Sequence, residues 1–169
     1  MLKIYLLLAV VAVVFAVLAA LKLKAAGGAK RGVYYLHKTL FTAAERSFLG
    51  VLERALPPGV RVFGKVRLGD IFGVQSGLDP SARQSARNRI DRKHVDFLLV
   101  RTDDLALLAG IELDDRSHEK EERQERDALV DDVFAGAGLP LLHVPAQKMY
   151  DPADLKAKVA SLLALPRSG

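Results

Sequence analysis

Three carboxylates, Asp96, Glu112 and Asp114, are the residues whose types and spacing could do chemistry. They lie in two short apolar runs, 93–100 (Lys-His-Val-Asp-Phe-Leu-Leu-Val) and 109–118 (Ala-Gly-Ile-Glu-Leu-Asp-Asp-Arg-Ser-His). A carboxylate on a largely buried strand is costly unless a cation meets it, and a metal ion would be such a cation. Asp114 stands two residues beyond Glu112, so a strand persisting that far puts both on one face. Convergence of the three carboxylates is therefore expected. Ion pairing of Asp96 and Glu112 with Lys93 or Arg126 is the structural alternative. Mg²⁺ takes oxygen ligands, usually one or two carboxylates with waters and substrate phosphate, and Asp96 with Glu112 would supply that half-shell. His118 has an ordinary pKa of about 6.5 and could exchange a proton at neutral pH. The competing reading puts it on a loop surface. His94 and His143 read as structural.

The elements that must position these residues follow from periodicity. The β-branched and aromatic runs 93–100 and 109–114, joined by the polar stretch 101–104, predict a hairpin. Upstream, Thr42 and Glu45 fit a capping box, and Phe48, Leu49, Leu52 and Leu56 recur at helical spacing until Pro57-Pro58-Gly59. Glu45 reads first as that cap and second as an accessory carboxylate of the site. Alternation over 60–68 predicts a half-buried strand, whereas 68–72 is ambiguous. Asp79 and Pro80 open a stretch over 79–93 that reads as a short exposed helix or a mobile insertion and carries Arg83, Arg87, Arg89, Arg92 and Lys93. That cluster is either a solvated face or a phosphate-contacting one. A helix over 119–135, a strand over 139–144 and a last helix from 151–152 complete the order. The fold class is α/β, a mixed central sheet flanked by helices.

The chain has 169 residues, half of them apolar, enough for one modest domain and an appendage. The appendage is the uncharged run 4–21, which reads as a transmembrane helix over 1–24, followed by a small-residue linker over 25–40 and the domain over 41–165. A cleaved signal peptide is the alternative, but Lys22 and Lys24 stand where small residues should mark cleavage. Lys3 precedes the run, whereas Lys22, Lys24, Lys30, Arg31 and Lys38 follow it, so the expected placement is single-pass in the inner membrane with the C-terminal domain in the cytoplasm. Of the formal net charge of +5, residues 1–41 supply +6, so the remainder carries −1. The high pI is thus a topology signal and no evidence for nucleic-acid binding. The chain has no cysteine, which excludes disulfides and thiolate zinc sites.

The ordered set Val95-Asp96-Phe97, Ile111-Glu112-Leu113-Asp114-Asp115, His118, Arg126-Asp127 and Gly138-Leu139-Pro140-Leu141-Leu142 resembles the restriction-endonuclease-like PD-(D/E)XK nuclease superfamily. More closely it is similar to domain-of-unknown-function family 2726, bacterial domains related to very-short-patch repair endonucleases. The resemblance covers 41–163. It implies a restriction-endonuclease-like sheet and Mg²⁺- or Mn²⁺-dependent phosphodiester hydrolysis. Asp96, Glu112 and the Leu113 carbonyl would hold the metal, with Asp96, Glu112, Asp114 and His118 as the catalytic set. Nucleic acid would be the partner, DNA ahead of RNA, contacted by Arg83, Arg87, Lys93 and Arg126. Asp114 departs from the pattern, because the superfamily usually carries Lys there to orient or deprotonate the attacking water. The rival readings are a catalytically silent nucleic-acid-binding module and a membrane-tethered interaction domain.

Overall fold

A computed structural model describes the backbone of residues 2–26, 33–114 and 121–165, with the side chains of 2–3, 6–7, 23–26 and 121–127 left out of the description. The chain divides into two units, Met1–Leu40 and Phe41–Gly169.

In the first unit, α1 spans Leu2–Ala26. Its described side chains run without a break only over 8–22, and among the described residues no helix is long and apolar enough to cross a membrane.

The second unit is built on a four-stranded mixed sheet in the order β1 (Val60–Arg67), β2 (His94–Arg101), β3 (Leu107–Asp114), β4 (Leu141–Pro145). The first two pairings are antiparallel and the last is parallel. A parallel neighbour needs a crossover, and α5 (Glu121–Gly136) provides it between β3 and β4. Pro140 sits just before β4, where its missing N–H costs no ladder bond.

Helices cover both faces. On one, α2 (Ala43–Ala55) and α6 (Pro152–Leu163) bring Phe48, Leu52, Leu155 and Val159 against Phe97, Leu99 and Ile111 of the sheet. On the other, α3 (Leu68–Ile71), α4 (Pro80–Asp91) and α5 bring Leu68, Ile90, Val130 and Phe134 against Leu98 and Val100. Helix starts are fixed by side chains named in the sequence. Thr42 Oγ1 accepts the Glu45 N–H at 3.2 Å while Thr42 N donates to Glu45 Oε2 at 2.7 Å, closing the expected capping box. Asp79 accepts from Ser81 N and Ala82 N, and Asp151 from Ala153 N, each before a Pro at the first turn. The ambiguous stretch after β1 is the short α3, whose first N–H, that of Leu68, donates to Lys93 O at 2.8 Å and so ties the end of β1 to the start of β2.

Candidate functional site

The hairpin aligns Asp96 with the cleft by ending its own ladder. Pairing of β2 with β3 runs from Val100↔Leu107 to Phe97↔Ile111 and stops there. One step further, the Leu113 N–H donates to Asp96 Oδ2 at 3.1 Å, so a carboxylate takes the place of a backbone carbonyl. Around this point opens a cleft of about 360 Å³ lined by Asp96, Glu112, Leu113 and Asp114, with Glu45, Lys65, Lys93 and His143 among its other walls. Asp96 and Glu112 therefore line the same cleft. Glu112 Oε1 is buried.

Among the described residues the cation that meets Asp96 is Lys65. Its Nζ lies 3.4 Å from Asp96 Oδ1 and forms a closer ion pair with Glu45 Oε1. The backbone explains how a residue of β1 gets there. Gly64 pairs with Phe97 and Val66 with Val95, so Lys65 stands opposite Asp96, and it does so at a φ of 56°, in the left-handed region. A non-glycine residue there costs about 1–2 kcal/mol. The two carboxylates that receive the ammonium offset that strain. Gly64 is required beside it, because a Cβ at that position would come within 2.1 Å of the Phe41 ring.

Electrostatics in the cleft follow from partial burial. Burial pushes the Glu45 carboxyl up, but the Lys65 ammonium and the Thr42 N–H outweigh it and hold the group below the usual carboxylate range. Burial likewise works to lower Lys65, yet Glu45 and Asp96 raise it above the ordinary lysine value. Both members thus stay charged at neutral pH.

Asp114 has a different partner. His143 Nδ1 lies 3.1 Å from Asp114 Oδ1 and its Nε2 lies 2.8 Å from Asp131 Oδ1. An ionised carboxylate only accepts, so satisfying both contacts requires a proton on each ring nitrogen. Burial lowers the pKa of His143, and the two carboxylates more than reverse this. Among the described residues no group of three or more Asp, Glu or His side chains could hold a metal ion, and Asp114 clasps β3 to β4 and α5 instead. The donor chemistry still fits Mg²⁺, which needs no more than one or two carboxylates, and Asp96 and Glu112 line the same cleft.

His118 and the side chain of Arg126 lie outside the described residues. Arg83 and Arg87 are exposed on α4, where Arg87 also reaches Asp91 at 3.7 Å, while Arg92 and Lys93 at the end of that helix line the cleft. Glu45 does both things the sequence allowed, capping α2 and lining the cleft.

The family described as protein of unknown function, DUF2726, matches residues 37–162. The chain belongs to the DUF2726 family. No curated protein and no solved structure matches it. The matched span takes in all four strands and every residue that lines the cleft, so the cleft is a feature of the DUF2726 domain itself. Two of its walls, Lys65 and His143, are not among the residues that pattern reasoning would select for chemistry in this DUF2726 chain. The only sequence signal for Lys65 is its neighbour Gly64, a glycine inside an alternating run, which marks a place where a strand can bend.

Proposed function

We propose that this protein is a membrane-anchored nuclease-like enzyme that hydrolyses nucleic-acid phosphodiesters with Mg²⁺ or Mn²⁺. The observation that carries the reading is the joint opening of Asp96, Glu112 and Leu113 onto one cleft at the end of the β2–β3 ladder. The mixed sheet with helices on both faces supports the resemblance to the restriction-endonuclease-like superfamily. Asp96, Glu112 and the Leu113 carbonyl would hold the ion, which when bound supplies an activated water and charge compensation for the phosphodiester. The chain contributes the rest. The Leu113 N–H fixes the orientation of the Asp96 carboxylate. Arg92 and Lys93 at the rim, continued by Arg83 and Arg87 along α4, offer cations for phosphates on either side of the cleft, a sequence-independent grip. His118 follows β3 and is the candidate for proton transfer. The uncharged run 4–21 and the Lys and Arg residues after it support anchoring through α1 with the DUF2726 domain on the cytoplasmic side.

The test is incubation of the protein with labelled DNA and RNA in Mg²⁺, in Mn²⁺ and in chelator, alongside Asp96→Asn and Glu112→Gln. Cleavage that needs the metal and vanishes in both variants is expected. Binding of nucleic acid with no cleavage under any of these conditions would replace the enzyme reading with the silent module, a reading favoured by the engagement of Asp114 with His143.

A further inference from the structure

Lys65 reaches Asp96 from the opposite strand by way of a strained backbone, and Glu45, already held by the capping box, anchors the same ammonium. Both Asp96 oxygens are occupied in this arrangement, Oδ2 by the Leu113 N–H and Oδ1 by Lys65. The two contacts of the ammonium are unequal. The one to Glu45 is short, and the one to Asp96 is, at 3.4 Å, near the limit of a hydrogen bond.

From this geometry we infer that Lys65 is a built-in counter-cation that occupies the carboxylate shell in place of a divalent metal, and that metal entry requires it to release Asp96 while remaining on Glu45. The inference rests on the metal reading of Asp96 and Glu112 given above. It deepens that reading by making metal loading a displacement. A site of carboxylates without a cation would be held apart by repulsion, and a site with a permanent one would reject a second. An ammonium with one firm and one loose carboxylate meets both requirements. It brings positive charge to Glu45 and Asp96 and yields the looser partner when a doubly charged ion arrives. Glu45 is the positioning residue that keeps the displaced ammonium from leaving the cleft.

The full chain in detergent micelles is titrated with Mn²⁺, bound ion being read by electron paramagnetic resonance and by the rise in melting temperature. Lys65→Met is expected to bind Mn²⁺ roughly tenfold more tightly than the parent, since removing a positive charge a few ångströms away favours an incoming cation. Lys65→Arg should stay within about twofold of the parent, because the charge is kept. Asp96→Asn should lose the binding. Should Lys65→Met not fold, Lys65→Gln, whose amide can still donate to Glu45, is expected to show the same tightening. Equal or weaker Mn²⁺ binding by the folded neutral variant, with Asp96→Asn still abolishing binding, would overturn the displacement while leaving the metal site standing. Absence of Mn²⁺ binding in the parent and in the neutral variants would overturn both.

Discussion

Replacing Glu45 separates two jobs that one carboxylate performs. Glu45→Gln keeps an oxygen for the Thr42 N–H but removes the charge facing Lys65, whereas Glu45→Ala removes both. Taking one partner from a fully buried pair costs about 3–5 kcal/mol. Here the Lys65 side chain is 24% exposed and keeps Asp96 at 3.4 Å, so the expected cost of Glu45→Gln is nearer to ~2 kcal/mol. Loss of the cap adds about 1 kcal/mol in Glu45→Ala. In urea unfolding of a chain beginning at Leu36, with a slope of about 1.5 kcal/mol/M, the midpoint should fall by about 1.3 M and about 2 M respectively. The pH dependence has a definite sign. The folded pKa of Glu45 is depressed, so its stabilisation is present above the unfolded carboxylate value and lost as pH falls through the folded one; that of Lys65 is raised, so its share is present below the unfolded lysine value and lost as pH rises through the folded one. The Glu45→Gln deficit should therefore be flat between about pH 5 and pH 10 and shrink on either side of that window. A Glu45→Gln deficit under about 0.5 kcal/mol at pH 7 would refute the assignment of an ion pair to this carboxylate, and equal deficits for Gln and Ala would refute the share given to the cap.

Two further outcomes test the surroundings of the cleft. A Cβ at Gly110 of β3 would lie 2.5 Å and 2.6 Å from the Phe134 ring and 2.9 Å from Leu141 Cδ1, and Phe134 has no free space, so Gly110→Ala should cost about 1–3 kcal/mol, read as a lower urea midpoint; an unchanged midpoint would show that β3 does not pack against α5 in this way. His143 has a raised pKa, so its clasp is fully formed below the ordinary histidine range and lost as pH rises through the folded value; the parent should lose ~0.5 kcal/mol over that rise after allowance for solvent screening, and His143→Asn should show no such slope.

The architecture was legible because its signals are local. Thr42 with Glu45, Asp79 with Pro80 and Asp151 with Pro152 mark helix starts by chemistry that acts within one turn, and the apolar blocks of β2 and β3 announce a sheet interior. The placing of Asp96 and Glu112 on one cleft was legible for a related reason, since a short antiparallel connection sets strand register. Lys65 was hidden by the same period-2 logic. It shares its parity with Arg61 and Arg67, both exposed, so alternation assigns it to solvent, and only the left-handed φ at that one residue turns it to the cleft. His143 was hidden differently. Its clasp joins Asp114 on β3 to Asp131 on α5, and no pairwise spacing in the sequence encodes which helical carboxylate a crossover brings to a strand.

The departure at position 114 gains a physical meaning from these two residues. A lysine there would extend from β3 beside Glu112; the aspartate instead draws in His143 of β4, whose second nitrogen holds Asp131 on the crossover helix. The position thus serves the joint between β3, α5 and β4, and the cation that pairs with Asp96 comes from β1 on its other side. A charge placed there touches the carboxylate from across the β1–β2 ladder, so its approach depends on one strained residue and one capping glutamate rather than on the strand that bears Glu112. It follows that Asp114→Lys would not by itself supply the water-orienting lysine that the proposed nuclease reading lacks. It would leave His143 facing Asp131 alone and put another ammonium beside a cleft where Lys65 already meets Asp96, so a rise in phosphodiester hydrolysis should require Lys65→Met in the same chain. An Asp114→Lys single variant more active than the parent would show that the two cations do not compete for the same carboxylates.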